Sequence, residues 1–192
     1  MPDNIFEDYK RHLFSCLDAL DLSAVYKLAE DIKLSWKEEK SIFLCGNGGS
    51  AANAIHIAND LLYKTAEIYG RGIKATALSA NQAILTCLGN DVGYENIFSK
   101  QLETLGKEGD LLIVLSGSGN SANILKIIDT AKKRKIKTYA FLGFDGGRCL
   151  KLVDVPIHFA VNDMQIAEDL QLIVGHMLMQ WLAKANLGGK IG

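Results

Sequence analysis

The feature that most constrains this chain is an alternation of short apolar runs with longer amphipathic stretches. Five runs have the length of a buried strand: SIFLC (41–45), IKATAL (73–78), LLIVL (111–115), TYAFL (138–142) and VPIHFA (155–160). Helix-like stretches at 50–63, 93–105, 120–134 and 147–152 lie between them, and a long apolar segment at about 164–185 closes the series. Strands that are apolar on both faces need cover on both faces, and the intervening lengths suit helical crossovers. The pattern therefore predicts a parallel sheet between helical layers. Ahead of it, IFEDYKRHLFSCLDAL and LSAVYKLAEDIKLSWKEEK carry apolar residues at three- and four-residue spacing, which predicts amphipathic helices. The expected organisation is one compact unit, with an N-terminal helical segment (1–40) packed on an α/β body (41–192).

Composition narrows what such a sheet serves. The 192 residues are 48% hydrophobic and 22% charged, enough to fill a core. Lys+Arg at 21 against Asp+Glu at 22 gives a formal charge of -1, which removes the electrostatic case for a nucleic-acid or anionic-membrane partner. No apolar run approaches the roughly 18 residues of a membrane span, and the start MPDNIFEDYKRHLF lacks the basic-then-apolar order of a secretory signal. Cys16, Cys45, Cys87 and Cys149 are scattered without metal-type spacing, and are expected to be reduced core residues of a cytoplasmic protein.

In open parallel sheets ligands collect at the carboxyl ends of the strands. The first strand runs into Gly46-Asn47-Gly48-Gly49-Ser50 and directly into a helix. Glycines let the backbone approach a ligand, and a helix N-terminus adds free N–H groups and a partial positive charge, which favour an anion. The Gly-Lys-Ser/Thr ending of a P-loop is missing. Gly46, Gly48 and Ala51 match G-x-G-x-x-A, but the second strand ends Leu78-Ser79-Ala80-Asn81, without the carboxylate a dinucleotide site expects. The third strand ends in Ser116-Gly117-Ser118-Gly119-Asn120-Ser121, again opening a helix. Three hydroxyls exceed what one N-cap needs, and they suit a phosphate monoester. A plain turn or cap remains the alternative at each loop; together they favour a phosphorylated small molecule.

Polar residues also stand on faces expected to be apolar. His56 and Asp60 lie at i and i+4 on one helix face, a metal-ligand or acid–base spacing that a core histidine would also satisfy. Glu168 and His176 interrupt the apolar last helix. Eight residues are about 12 Å along a helix axis, against ligand bonds of about 2 Å. If Glu168 and His176 serve one centre, two copies of the chain contribute. Asp91 is equally a helix cap and a ligand contact, Asp145-Gly146-Gly147 reads as a structural turn, and Asp169 and Gln171 fit the solvated side of their helix.

The run CGNGGSAANAIH, the run GNDVGYENIFSKQLETLGKEGDLLIVLSGSGNSANIL, the DGG turn and a terminal apolar helix bearing His together resemble a sugar isomerase (SIS) domain, and more narrowly the phosphoheptose isomerase family. The resemblance covers about residues 5–185. It implies a flavodoxin-like three-layer α/β/α sandwich on a five-stranded parallel sheet, a homotetramer with active sites between subunits, and a divalent metal, zinc foremost. By resemblance, Asn47, Gly48 and Gly49, beside Ser50, contact substrate, as do Asn90 and Asp91; Ser116, Ser118 and Ser121 hold the phosphate. His56 matches a metal ligand and His176 a ligand and proton-transfer residue. Asp60 replaces a glutamate that acts as ligand or base, Glu168 a glutamine touching substrate and metal, and Gly117 a threonine. Glu168-Asp169 and Gln171 replace the family's Gln-Glu and following His. The implied metal set is His56, Asp60, Glu168 and His176.

The implied reaction is ketose–aldose isomerisation of sedoheptulose 7-phosphate through an enediol, supplying heptose to a bacterial surface polysaccharide such as lipopolysaccharide or capsule. Asp60 or Glu168 is the expected base and His176 the partner acid. Two alternatives stand beside it: an isomerase of another sugar phosphate, and a non-catalytic SIS protein that binds a sugar phosphate or a protein. Retention of Asp60 and both histidines argues for an enzyme.

Overall fold

The computed structural model describes residues 4–185. Two helices, α1 (Ile5–Asp18) and α2 (Leu22–Lys37), precede β1 (Ser41–Gly46), α3 (Gly48–Tyr69), β2 (Lys74–Ala77), α4 (Gln82–Asp91), a 3-10 turn (Tyr94–Asn96) and α5 (Ser99–Leu105). There follow β3 (Leu111–Ser116), α6 (Ala122–Lys133), β4 (Lys137–Leu142), α7 (Cys149–Leu152), β5 (Val155–His158) and α8 (Met164–Lys184). The strands form one parallel sheet in the order β2-β1-β3-β4-β5. The three inner strands fill their expected runs. The two edge strands, β2 and β5, are shorter than their apolar runs, and each has a neighbour on one side only.

Side chains alternate across the sheet and build two cores. Ile42, Leu44, Ile113, Leu115, Tyr139 and Phe141 face α2, α3 and α8, whereas Phe43, Cys45, Leu112, Val114 and Ala140 face α5, α6 and α7. This is the expected three-layer sandwich. The helix expected over 93–105 is divided instead: Gly93 enters the 3-10 turn at φ 93°, Asn96 returns its side-chain amide to the Val92 carbonyl, and α5 restarts at Ser99. Polar ties join α1 and α2 to the body. The Tyr9 hydroxyl donates to Asp169 at 2.6 Å, and Asp31 of α2 meets Tyr139 and Lys137 of β4. The hydrogen bond to Asp169 and burial push the Tyr9 phenol up to about 12.

All four cysteines are free. Cys45 and Cys149 are buried and their thiols are pushed up by desolvation. Cys16 is half-buried, and Cys87 corrects the expectation of a core position: it is exposed, on a helix that buries none of its residues. Among the described residues, no helix is long and apolar enough to cross a membrane.

Candidate active site

β1 and β3 are neighbours, with Gly46 opposite Leu115, and the chain leaves them towards opposite edges of the sheet. Their carboxyl ends thus form a topological switch point, where such sheets leave a crevice. Both small-residue loops sit there. Asn47 to Ser50 and Ser116 to Ser118 with Ser121 face one another across a cavity of about 260 Å³, closed by Met164 and Glu168 of α8.

The helix starts at this cavity are unusual in what they leave unbonded. Asn47 and Ser121 occupy the N-cap positions of α3 and α6 with extended backbone, yet neither side chain caps its helix. The first amides of both helices are therefore open to an external acceptor, with the dipole favouring an anion. The serine loop is braced from behind. Ser116 Oγ accepts from the Gly119 amide at 3.1 Å and Ser118 Oγ from the Asn120 amide at 3.3 Å. Beyond the loop, the Arg148 amide donates to Asn120 Oδ1 at 3.1 Å and the Cys149 amide to the Gly119 carbonyl at 3.0 Å. The Asp145-Gly146-Gly147 turn thus leads into residues that fix the shape of the serine loop.

α3 and α8 run parallel on the same side of the sheet, and small residues bring them close. A Cβ on Gly49 would lie 2.2 Å from Glu168 Oε2, and one on Gly175 would lie 2.7 Å from Ile57. Asn53 donates from Nδ2 to the Glu168 carbonyl at 2.8 Å and to Gln171 Oε1 at 3.2 Å. Gln171 is 0% exposed and its Nε2 has no partner, which corrects its assignment to the solvated side of the helix. Asp169 is exposed as expected and holds Tyr9. Among the described residues, Glu168 is the one ionisable residue on the cavity wall.

Two turns further along the same helix pair, His56, Asp60 and His176 converge. His56 Nε2 lies 3.0 Å from His176 Nε2 and 3.4 Å from Asp60 Oδ2, and His176 Nε2 lies 3.9 Å from that oxygen. Their side chains are 48%, 17% and 52% exposed in the order His56, Asp60, His176. Two imidazole nitrogens and a carboxylate oxygen, all within 4.8 Å of one another, are a donor set that fits a divalent ion with bonds of about 2.1 Å. Glu168, expected as a fourth ligand, is not part of this group within the chain. The reason is helix geometry, since eight residues along α8 put about 12 Å between it and His176. Neither histidine is a core residue; both are half exposed, and His176 lines a cavity of about 250 Å³ together with Asp60 and Lys64.

The remaining expected contacts, Asn90 and Asp91, lie exposed at the end of α4 and not on the wall of the phosphate-type cavity. Hydrogen bonds from Asn90 and Cys87 hold the Asp91 carboxyl below the usual carboxylate range. Asp91 does not cap the following turn, which Gly93 opens. Sequence reasoning missed Asn123 and Tyr94, both bonded to Asn47, and Met164. Asn123 follows Ser121 within the same small-residue run, a signal that was available; Tyr94 offered none.

An open parallel sheet carrying two such loops at its switch point, with an imidazole–carboxylate cluster on the covering helices, defines a sugar-phosphate isomerase type of domain. The SIS domain family model matches residues 6–143. The phosphoheptose isomerase of Clostridium acetobutylicum is 37% identical over 174 residues, covering 91% of this chain and 88% of that protein. That of Nitratiruptor sp. is also 37% identical, over 180 residues, 92% and 87% of the two chains. The solved structure of phosphoheptose isomerase GmhA from Neisseria gonorrhoeae superposes with a TM-score of 0.85 at 29% identity, over 94% of this chain and 95% of that one. The chain belongs to the SIS domain family and, within it, to the phosphoheptose isomerases.

Proposed function

We propose that this chain interconverts sedoheptulose 7-phosphate and D-glycero-D-manno-heptose 7-phosphate by aldose–ketose isomerisation in the cytoplasm, within heptose supply for a surface polysaccharide. The observation that carries the reading is the convergence of two uncapped helix starts on one cavity whose sole ionisable wall residue, among the described residues, is a carboxylate. The phosphate sits against Ser116, Ser118, Ser121 and the first amides of α6, where hydroxyl and backbone donors replace a fixed cation. Asn47, Gly48, Gly49 and Ser50 take the sugar's oxygens, and Asn90 and Asp91 reach its exposed end.

Glu168 then acts as base. It takes a proton from the carbon bearing the hydroxyl beside the ketone, and the C–H electrons form the enediolate. The same proton equivalent returns to the former carbonyl carbon, while one proton moves from the first oxygen to the second. His176 serves those oxygens. His56, Asp60 and His176 would hold a divalent ion, zinc by the donor types, and a ligand such as Glu168 would come from a neighbouring copy. When bound, that ion supplies Lewis-acid polarisation of the sugar oxygens. The separation of the triad from the cavity along α3 and α8 supports a homotetramer whose sites lie between subunits, with residues 1–40 packing on the body and its neighbours.

Incubation with sedoheptulose 7-phosphate in deuterium oxide, followed by NMR, tests this. Aldose phosphate carrying deuterium at its second carbon is expected, with a preference for the seven-carbon ketose over five- and six-carbon ones. No turnover with any divalent ion would overturn the reading.

A further inference from the structure

We infer that Asn123 and Tyr94 are positioning residues that lock Asn47 as a hydrogen-bond donor and hold it away from the α3 cap; this rests on the sugar-phosphate reading and deepens it. An Asn at the N-cap ordinarily accepts from the second or third amide of its helix. Asn47 has the extended backbone for it, but does not do so. Its Oδ1 accepts instead from Asn123 Nδ2 at 2.9 Å and from the Tyr94 hydroxyl at 3.0 Å, and its Nδ2 donates to Asn123 Oδ1 at 3.0 Å.

A primary amide has two acceptor lone pairs and two donor hydrogens. Both lone pairs of Asn47 are engaged, so only one N–H remains, on a residue that lines the cavity. Asn47 offers substrate a donor and nothing else. The α3 amides that its oxygen would have capped, those of Gly49 and Ser50, are left open beside it. All these donors suit an oxygen of the sugar that carries or gains negative charge, as the carbonyl oxygen does on forming the enediolate.

Asn123 is 1% exposed and is not on the cavity wall, so it acts through Asn47. It stands in the first turn of α6, the helix that the serine loop opens. The reciprocal amide pair therefore ties Asn47 to the first turn of that helix. Tyr94 closes the arrangement from the solvent side.

The test uses the intact protein with Asn123→Asp or Tyr94→Phe. In Asn123→Asp a carboxylate oxygen replaces the amide nitrogen and meets Asn47 Oδ1 acceptor to acceptor, which removes one of the two donors to that oxygen and turns the Asn47 amide out of its locked orientation. Turnover of sedoheptulose 7-phosphate should fall about 30-fold in kcat, while inorganic phosphate, titrated calorimetrically, binds within about twofold of the parent. Tyr94→Phe should lose about threefold, and less than that when added to Asn123→Asp because both changes loosen the same side chain. Phosphate affinity falling in step with kcat would overturn the inference, since Asn123 would then merely hold the serine loop. Unchanged kcat in both variants would also overturn it. If Asn123→Asp fails to fold, the exposed Tyr94→Phe decides alone, by loss or no loss. If the parent protein itself does not turn over the sugar, the enzymatic reading fails separately. The Asn47 side-chain amide signal then decides: a downfield shift on adding sedoheptulose 7-phosphate, abolished by Tyr94→Phe, supports the positioning role, and no shift refutes it.

Discussion

Among the described residues, five helices are entered through an extended Asp, Asn or Ser, and they divide into two groups. Asp21 of α2 accepts from the Ser23 amide, Asn81 of α4 from the Ile84 amide, and Asp163 of α8 from the Gln165 and Ile166 amides. Asn47 of α3 and Ser121 of α6 have the same backbone and the same capping chemistry, and cap nothing. The first group satisfies the helix from within the fold. The second leaves donors open, and both of its members face the one cavity between the loops. An unmade cap is locally destabilising by about 1 kcal/mol, and a ligand oxygen that takes its place recovers that on binding.

The largest effect expected from groups the fold does not need is at His176. His176→Ala should lower kcat about 1,000-fold and abolish retention of a divalent ion, with little change in the thermal midpoint because the side chain is half exposed. Steady-state kinetics, metal analysis and calorimetry on one preparation check all three. Ser121→Ala comes next and probes the comparison itself. It should cost about 50-fold in kcat/KM and leave stability within about 0.5 kcal/mol, since no cap is lost. A stability loss like that of a true cap would erase the distinction.

Asp163→Ala is the mirror experiment. Denaturant unfolding should show a loss of about 1 kcal/mol, with kcat/KM within about twofold of the parent. The smallest effect concerns acid. Hydrogen bonds from Ser23 lower the Asp21 carboxyl below its ordinary value. A group whose folded pKa is depressed stabilises fully above its unfolded pKa, and that contribution disappears as pH falls through the folded value. Thermal midpoints measured down through the carboxylate range should therefore fall less steeply for Asp21→Asn than for the parent, and parallel curves would count against the cap.

How much was legible follows from the distance over which each feature is specified. Apolar runs of strand length and the Gly- and Ser-rich segments behind them are local, so β1, β3, β4 and both loops could be read from neighbouring residues alone. His56 and Asp60 share a face through helix periodicity, which is local too. Gln171 and His176 were harder. α8 is apolar on most sides, so periodicity could not say that Gln171 turns into the contact with α3 while His176 turns out. Cys87 misled for the opposite reason, because an apolar stretch around it forms a helix lying on the surface. The bond of Asn123 to Asn47 spans 76 residues and has no local signature.

The sequence by itself determined a parallel α/β sandwich and the chemistry at its strand ends, since strand burial and loop composition are set by adjacent residues. Only the tertiary structure decided which of those polar groups would be engaged by the fold. It made Asp163 a cap and Asn47 a donor, and it set Glu168 against Gly49 and His176 beside His56. Such choices depend on which atoms the packing of α3, α6 and α8 brings within hydrogen-bond reach, and that reach is about 3 Å while the residues concerned stand far apart along the chain.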